Sequence, residues 1–305
     1  MIKEICEKLD FPVEAGDYLE EVLRNISMNF SIIDEMSVAM DNYFCESDDN
    51  YIEMLENISQ KSGVSRYTID MIFLLLATKP LYYIYKQKNI PEEIYWETIK
   101  DLKNKLLECK KVYGVWGMVA TSWFRWYYTC ERFALGRLQF EKFIFEKGET
   151  ENVRRLGKET YSAPIEEGYR GIKYGDALYN CHIPSSGSLR EEDVISSFKK
   201  AYEFYNIEGI MTIICNSWLL YPPHYEVYPE NSNLRRFADL FDITESHENE
   251  DNPDSWRVFN TDSKDYENLP EDTSLQRRFK KYLVEGHKMG NGFGVILFDG
   301  EKIIR

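Results

Sequence analysis

The chain of 305 residues lacks several features that mark whole classes of protein. Its six cysteines include no C-x-x-C pair, which argues against a zinc site and against a disulfide scaffold. His224, His247 and His287 have no metal-ligand spacing to carboxylates or cysteines, so no bound metal is expected. The longest apolar stretch, residues 71–77, is far shorter than the roughly 20 residues of a membrane span.

Basic residues are outnumbered, with 37 Lys and Arg against 52 Asp and Glu and a net charge of −15. Nucleic acids and anionic membranes are bound through clustered Lys and Arg, and the sequence has no such cluster, so neither partner is expected. The first residues are charged at every second or third position and lack the apolar core of a signal peptide, which predicts a cytoplasmic protein. Acidity suits a cationic acceptor such as an amine, although it also serves solubility alone.

The chain is rich in apolar and aromatic residues and is long enough for two hydrophobic cores. Up to about residue 130 the apolar spacing is helical, most clearly at Tyr95, Ile99, Leu102, Leu106 and Cys109. We expect a helical layer around residues 71–77, without any long strand in the first 108 residues. Residues 113–132 carry three tryptophans around nearly every face, which predicts one helix buried on most sides.

From residue 134 the pattern changes to strands alternating with helices. Residues 135–146, LGRLQFEKFIFE, alternate in one phase and then, after Glu141 and Lys142, in the other, which predicts a strand with a β-bulge. Further strands are predicted at 177–184, 210–220, 256–259 and the C-terminal end. The fold class is therefore mixed α/β: an all-helical N-terminal domain, residues 1–132, precedes a mixed sheet with helices on both faces, residues 133–305.

The second half also carries local sequence signals for helix starts, loops and turns. Capping boxes are predicted at Ser188 with Glu191 and at Thr273 with Gln276, each at the start of a helix. Residues 244–255 are polar and acidic and predict a loop. Residues 290–294, GNGFG, follow a predicted helix and precede a strand, which is typical of a helix C-cap and turn and not of a phosphate-binding loop.

The order of predicted elements resembles the GNAT N-acyltransferase fold. The segments YWETIKDLK, YGVWG, LGRLQFE, HIPSSGSL, CNSWLL, ENSNLRRF and LPEDTSLQRRFKKYL extend from Tyr95 to Leu283. They resemble bacterial proteins that pair an N-acyltransferase N-terminal helical domain with a GNAT-like C-terminal domain. The resemblance implies a small-molecule acyl donor, acetyl-CoA or another acyl-CoA, and transfer of the acyl group to an amine acceptor.

In GNAT proteins the CoA pyrophosphate sits on backbone amides between a strand and a helix. Here the resemblance places this contact at Ile183, Ser185, Ser186, Gly187 and Ser188. The Q/R-x-x-G-x-G/A signature of the wider superfamily is absent, and the acidic residues 191–193 would repel phosphate unless they point away. An ordinary capped helix start explains the same loop equally well.

Three side chains are candidates for the chemistry. His182 ends the strand that the fold places beside the acyl group, and a neutral imidazole can deprotonate an ammonium-derived acceptor; a structural histidine at a strand end is the alternative. Ser217, at the end of the central strand, can bond the thioester carbonyl or the acceptor. Tyr221, or the nearby Tyr225 or Tyr228, can protonate the departing thiolate, as a tyrosine often does in the superfamily.

These residues lead to an acyl-CoA-dependent acyltransferase that works by direct attack of an amine on the thioester. A covalent route with Cys215 as nucleophile and His182 as base is less favoured, because nothing nearby activates the thiol. The same fold also suits a non-catalytic GNAT-like module that binds CoA or a protein partner. We expect the largest pocket with convergent polar groups to lie between the ends of the two central strands, lined by His182, the loop 185–188, Ser217 and one of the tyrosines that follow.

Overall fold

The computed structural model describes residues 2–45, 50–119, 121–147, 152–156 and 159–304. The chain divides into two compact units, Met1–Phe133 and Ala134–Arg305.

The first unit is helical. Residues 2–45 and 50–108 contain no strand, as the sequence predicts. The helices are α1 Lys3–Lys8, α2 Val13–Ile26, α3 Phe30–Phe44, α4 Asn50–Ser62, α5 Arg66–Gln87, α6 Glu92–Ile99, α7 Asp101–Tyr113 and α8 Thr121–Tyr128.

Helix α5 is the centre of this unit. Every side chain from Met71 to Leu75 is at most 1% exposed, which confirms the prediction of a core around residues 71–77. The helix remains continuous through Pro80. The predicted apolar stripe is also buried, although it runs over two helices, α6 and α7, and not one.

The prediction of one buried helix over residues 113–132 is wrong. Helix α7 ends at Tyr113, and the following Gly114 adopts the left-handed conformation that favours glycine. Gly117 then lies against the backbone of Tyr67, where a Cβ would be 2.5 Å from a carbonyl carbon, and α8 begins only at Thr121. Trp123 is 39% exposed, and the guanidinium carbon of Arg132 lies 3.9 Å from the centre of its ring.

The second unit is built on one mixed sheet, as predicted. Among the described residues the strand order is β4-β3-β2-β5-β6-β8-β7, while β1 pairs with β2 and β9 with β8. The strands are β1 Arg132–Leu135, β2 Leu138–Lys147, β3 Asn152–Leu156, β4 Glu159–Ser162, β5 Ala177–His182, β6 Met211–Ser217, β7 Asp242–Glu248, β8 Gly290–Phe298 and β9 Ile303–Ile304. The helices are α9 Glu191–Phe204, α10 Asn233–Asp239, α11 Ser255–Phe259 and α12 Ser274–Val284.

Strands β5 and β6 are parallel neighbours, which confirms the topology predicted for them. Helix α9 connects them, since a parallel pair requires a crossover. Strand β6 is paired on both edges, with β5 and β8, and its first five residues are buried, as the apolar run from Met211 predicts.

The predicted β-bulge in β2 is wrong for its pairing with β5. The register runs without interruption from Gln139 opposite His182 to Ile144 opposite Ala177. The apolar alternation changes phase because both faces of β2 are buried at its start, where the polar Gln139 and Glu141 occupy one of them. Farther along the strand, only the face that carries Phe143 remains buried.

Two further local predictions are wrong. Residues 255–259 form the short helix α11, in which Arg257 bonds Asp254 three residues back, and not a strand. The predicted loop 244–255 is wrong at residues 244–248, which belong to β7, an exposed edge strand whose ladder to β8 does not depend on apolar alternation, while residues 249–254 contain no helix or strand, as predicted.

The glycine-rich segment 290–294 is the start of β8 and not a helix C-cap and turn. The backbone of residues 218–221 crosses this strand so closely that a Cβ on Gly292 would be 2.1 Å from the Leu220 carbonyl oxygen. A Cβ on Gly290 would be 2.6 Å from the Tyr221 ring. The glycines therefore make room for the chain that leaves β6.

Candidate functional site

The parallel ladder between β5 and β6 stops before either strand ends. Its pairs are Leu178 with Thr212, Tyr179 with Ile213 and Asn180 with Ile214. Strand β5 nevertheless continues to His182 and β6 to Ser217. The carboxyl ends of the two central strands thus extend beyond their mutual pairing, at the edge where open α/β sheets bind ligands.

His182 lies in a small polar cluster at this edge. Its Nε2 is 3.1 Å from Glu141 Oε1 on the neighbouring strand β2. Asn180 Nδ2 donates to the same carboxylate oxygen at 2.7 Å and lies 3.0 Å from His182 Nε2. The side chain of Glu141 is 1% exposed and that of His182 is 18% exposed, so a buried carboxylate orients a partly accessible imidazole.

The cross-strand register explains this cluster. Gln139 lies opposite His182 and Glu141 opposite Asn180, so that four polar residues share one face. The sequence pattern marks His182 as a strand-end histidine but does not single out Glu141. The change of phase in β2 is the signal of Glu141, because it reflects a buried polar patch and not a bulge.

The loop after β5 contains the predicted CoA-contact residues. Ile183 is half-buried, whereas Ser185, Ser186, Gly187 and Ser188 are exposed. Among the described residues, none of the N–H groups of residues 185–188 donates to a protein acceptor.

The predicted capping box at Ser188 is wrong. Helix α9 begins at Glu191 with Arg190 as its N-cap residue, and no side chain caps it. Arg190 instead bonds Asp193 through Nε at 2.7 Å and Nη2 at 3.0 Å, and its Nη1 lies 3.4 Å from Glu192. Two of the three acidic groups that would repel phosphate are therefore paired with a cation. The other predicted capping box, Thr273 with Gln276, is present and starts α12.

Ser217 reaches the same edge as His182 but not the same face. Continuing the β5–β6 register brings Asn216 level with His182, while Ser217 lies opposite Gly292 of β8. Its hydroxyl oxygen accepts from the Leu219 N–H at 3.2 Å and caps the following 3₁₀ turn, Trp218–Leu220. Strand alternation alone does not reveal this, because the face depends on register between strands.

Tyr221 lies on the face of Ser217, since its ring occupies the space above Gly290. Burial raises the pKa of Tyr221, so its phenol stays protonated near neutral pH. Tyr228 is buried and donates to the carbonyls of Trp218 and Leu219, and Tyr225 packs under the guanidinium of Arg235. Of the three tyrosines, Tyr221 is the one whose ring lies against the start of β8.

Cys215 does not meet His182. The register places Cys215 level with Cys181, with which it is hydrogen-bonded, on the face opposite His182. Both cysteines are buried, and burial raises the pKa of the Cys181 thiol well above its usual range. A thiol–imidazole pair between Cys215 and His182 is therefore excluded.

Two cavities in the described part of the chain lie in the helical unit. One of about 320 Å³ is lined by Tyr82, Tyr85 and Lys86 among others, and one of about 340 Å³ by Leu75, Lys79 and Trp96 among others. Neither includes a predicted site residue.

Within the described ranges, no group of three or more His, Cys, Asp and Glu side chains is arranged to hold a metal ion. No helix in those ranges combines the length and apolar character needed to cross a membrane.

Each of the two units matches a known protein-family model. The family model described as an N-acyltransferase N-terminal domain matches residues 1–130, and the model of a GNAT-like C-terminal domain matches residues 133–296. No curated protein sequence matches the chain significantly.

Solved structures with the same fold are acyltransferases. An acyltransferase mutant in complex with octanoyl-CoA superposes with a TM-score of 0.72 at 18% identity, over 95% of this chain and 86% of that one. An acyltransferase in complex with decanoyl-CoA and teicoplanin gives 0.70 at 17% identity, over 96% and 86%. A third, in complex with CoA and 10C-teicoplanin, gives 0.68 at 18% identity, over 95% and 86%. At these identities the similarity shows the fold, while the C-terminal family model covers more than half of the chain. The chain belongs to the family of proteins that carry a GNAT-like C-terminal domain, here preceded by an N-acyltransferase N-terminal domain.

Proposed function

We propose that the protein is an acyl-CoA-dependent acyltransferase that transfers the acyl group of a CoA thioester directly to an amine. The observation that carries the proposal is the contact of Glu141 with His182 at the point where the β5–β6 ladder stops. The family and the acyl-CoA complexes of the solved neighbours support it. The protein has two domains in this proposal. Residues 1–132 form the helical domain, and residues 133–305 form the domain that binds the acyl-CoA.

The loop 185–188 and the ladder end supply the binding groups. Exposed N–H groups ahead of a helix N-terminus favour the diphosphate of CoA, because both present partial positive charge. The ends of β5 and β6 offer backbone groups to an extended ligand that itself carries amides, as pantetheine does. Ile183 lies between the end of the ladder and the loop 185–188, and we expect it to contact the acyl-CoA as well.

The reaction is a direct aminolysis. The amine nitrogen attacks the thioester carbonyl carbon, and His182 takes the proton that the nitrogen loses as the new bond forms. The resulting imidazolium donates its Nε2–H to the Glu141 carboxylate, which stabilises the charge. The tetrahedral intermediate collapses to the amide and expels the CoA thiolate.

Tyr221 protonates this thiolate. Its ring lies on the opposite face of the sheet from His182, so acid and base approach the thioester from different sides of the end of the β5–β6 ladder. Ser217 keeps its O–H to donate to the thioester carbonyl, since its oxygen already accepts from Leu219.

The acceptor is an amine-bearing small molecule. The net charge of −15 favours a cationic acceptor over an anionic one. Two of the solved neighbours are complexes with teicoplanin or 10C-teicoplanin, so an acceptor of that size is compatible with the fold.

The first experiment is calorimetric titration of the full chain with CoA, acetyl-CoA, octanoyl-CoA and decanoyl-CoA. We expect saturable binding, and release of free thiol when a panel of amines is added with the preferred donor. Absence of binding at millimolar concentrations of all four ligands contradicts the proposal. Binding without thiol release for any amine supports a non-catalytic CoA-binding module instead.

A further inference from the structure

Arg137 bonds the loop that follows β5. Its Nη2 donates to the carbonyl oxygens of Pro184 at 3.0 Å and Gly187 at 3.3 Å, and its Nε donates to that of Ser188 at 3.1 Å. One guanidinium thus collects three backbone carbonyls from five consecutive residues. No other side chain of the described residues bonds the backbone of this loop.

The backbone of Arg137 is itself held in place. It belongs to the two-residue turn between β1 and β2, in which Gly136 has a φ of +80°. The Arg137 N–H donates to Ser197 Oγ of α9 at 2.8 Å, and that hydroxyl donates onward to the Asp193 carbonyl at 2.9 Å. A Cβ on Gly136 would be 2.9 Å from Ser197 Oγ, so glycine is needed for this approach. Arg137 therefore starts from a fixed point beside the first turns of α9.

The three bonds decide which groups the loop presents. Carbonyls that are bonded to a cation no longer present their negative ends outward. The N–H groups of residues 185–188, by contrast, have no protein acceptor among the described residues and lie in an exposed segment. The loop accordingly combines exposed N–H donors, the half-buried positive charge of Arg137 and the N-terminus of α9. Such an arrangement matches a diphosphate diester, which carries one negative charge on each phosphate.

We infer that Arg137 is the positioning residue of the CoA diphosphate site: it holds loop 184–188 in the conformation that turns its amides toward the ligand, without touching the phosphates itself. The inference rests on the proposed acyl-CoA binding. It also explains how this chain manages without the Q/R-x-x-G-x-G/A signature, because a side chain from the β1–β2 turn fixes the loop from outside.

The test compares two acyl donors, acyl-CoA and the matching acyl-pantetheine, which lacks the phosphates. In Arg137→Met we expect the KM or Kd for acyl-CoA to rise about tenfold to hundredfold. This is the cost of losing one or two charge-assisted hydrogen bonds from the loop amides to the phosphates. We expect the value for acyl-pantetheine to stay within about twofold and kcat at saturation within about threefold, since the reacting atoms are not involved. Lys199→Met, which removes a charge of the same sign from α9, should change neither donor's affinity.

The outcomes separate the two proposals. If Arg137→Met weakens both donors equally, or neither, Arg137 is not a positioning residue for the diphosphate, whatever the enzyme's activity. If the parent protein does not prefer acyl-CoA over acyl-pantetheine but turns both over, the inference fails and the acyltransferase function stands. If the parent protein binds neither donor, the proposed function itself fails. Should Arg137→Met not fold, Arg137→Lys carries the same comparison, with an intermediate loss of acyl-CoA affinity expected and an unchanged donor preference contradicting the inference.

Discussion

Glu141 Oε1 lies 3.1 Å from His182 Nε2, across the antiparallel pair of β2 and β5. A carboxylate that is 1% exposed requires hydrogen-bond donors, and it obtains them from His182 and Asn180. In return it fixes the orientation of the imidazole.

We expect Glu141→Gln to lower kcat about tenfold to hundredfold while changing the KM for acyl-CoA little, because the amide cannot stabilise an imidazolium as a carboxylate does. Steady-state kinetics with thiol detection measures this split. Glu146→Gln is the matched control, since Glu146 lies on the same strand with an exposed side chain. A Glu141→Gln enzyme with undiminished kcat contradicts the assigned role.

His182→Ala should lower kcat by about 10²-fold or more at neutral pH, the usual scale for losing a general base, with the Kd for CoA nearly unchanged. His247→Ala, on the exposed edge strand β7, provides the comparison and should retain full activity. If His182→Ala instead unfolds at lower temperature and a folded His182→Gln variant turns over normally, the histidine is structural.

His224 makes the stability depend on pH. It is fully buried in an aromatic cage and its ring Nδ1 lies 2.8 Å from the Trp218 carbonyl oxygen; burial lowers the pKa of His224 from 6.5 to about 4. The unfolded chain therefore binds a proton at pH values where the folded protein does not. The free energy of unfolding should fall as the pH drops from about 6.5 to about 4, by about 3 kcal/mol in total from this group.

His224→Phe removes this contribution. Its urea unfolding should show a weaker dependence on pH between 6.5 and 4 than the parent protein, although the lost hydrogen bond costs about 1 kcal/mol at pH 8. Parallel curves for the two proteins over that interval contradict the prediction.

Gly292→Ala should destabilise the protein by about 3 kcal/mol, because a methyl group there meets the Leu220 carbonyl oxygen at 2.1 Å and the crossing segment has to move. Gly16→Ala provides the contrast: its Cβ would meet its nearest neighbour at 3.5 Å inside a helix, so a gain of up to about 1 kcal/mol is expected. Denaturant unfolding measures both. A Gly292→Ala protein as stable as its parent argues against the tight crossing.

Cys215→Ala should leave kcat within about threefold, because Cys215 is buried beside Cys181 and acts as core filling. Iodoacetamide labelling followed by peptide mapping should modify the exposed Cys45 first and Cys181 last. Loss of activity in Cys215→Ala with the fold intact supports a covalent intermediate and contradicts direct transfer.

The sequence predicts most elements of this protein because their signals are local. The apolar run of residues 71–75 and the capping box at Thr273 depend on neighbours within a few positions of the chain, and both are present. The parallel pairing of β5 with β6 followed from the intervening helix. Where a signal had two local explanations, as in the phase change of β2 or the glycines of β8, the sequence could not choose between them.

By itself, the sequence determined a helical half, a mixed-sheet half, the family, and His182 as a strand-end histidine. Only the tertiary structure decided what surrounds that histidine: Glu141 lies 41 positions earlier in the chain and reaches His182 through the register of two strands. The same register places Ser217 and Tyr221 on the other face, and a turn 47 residues before Pro184 supplies the guanidinium that shapes its loop. Periodicity records which residues of one strand share a face, but the alignment between strands depends on packing across the whole sheet.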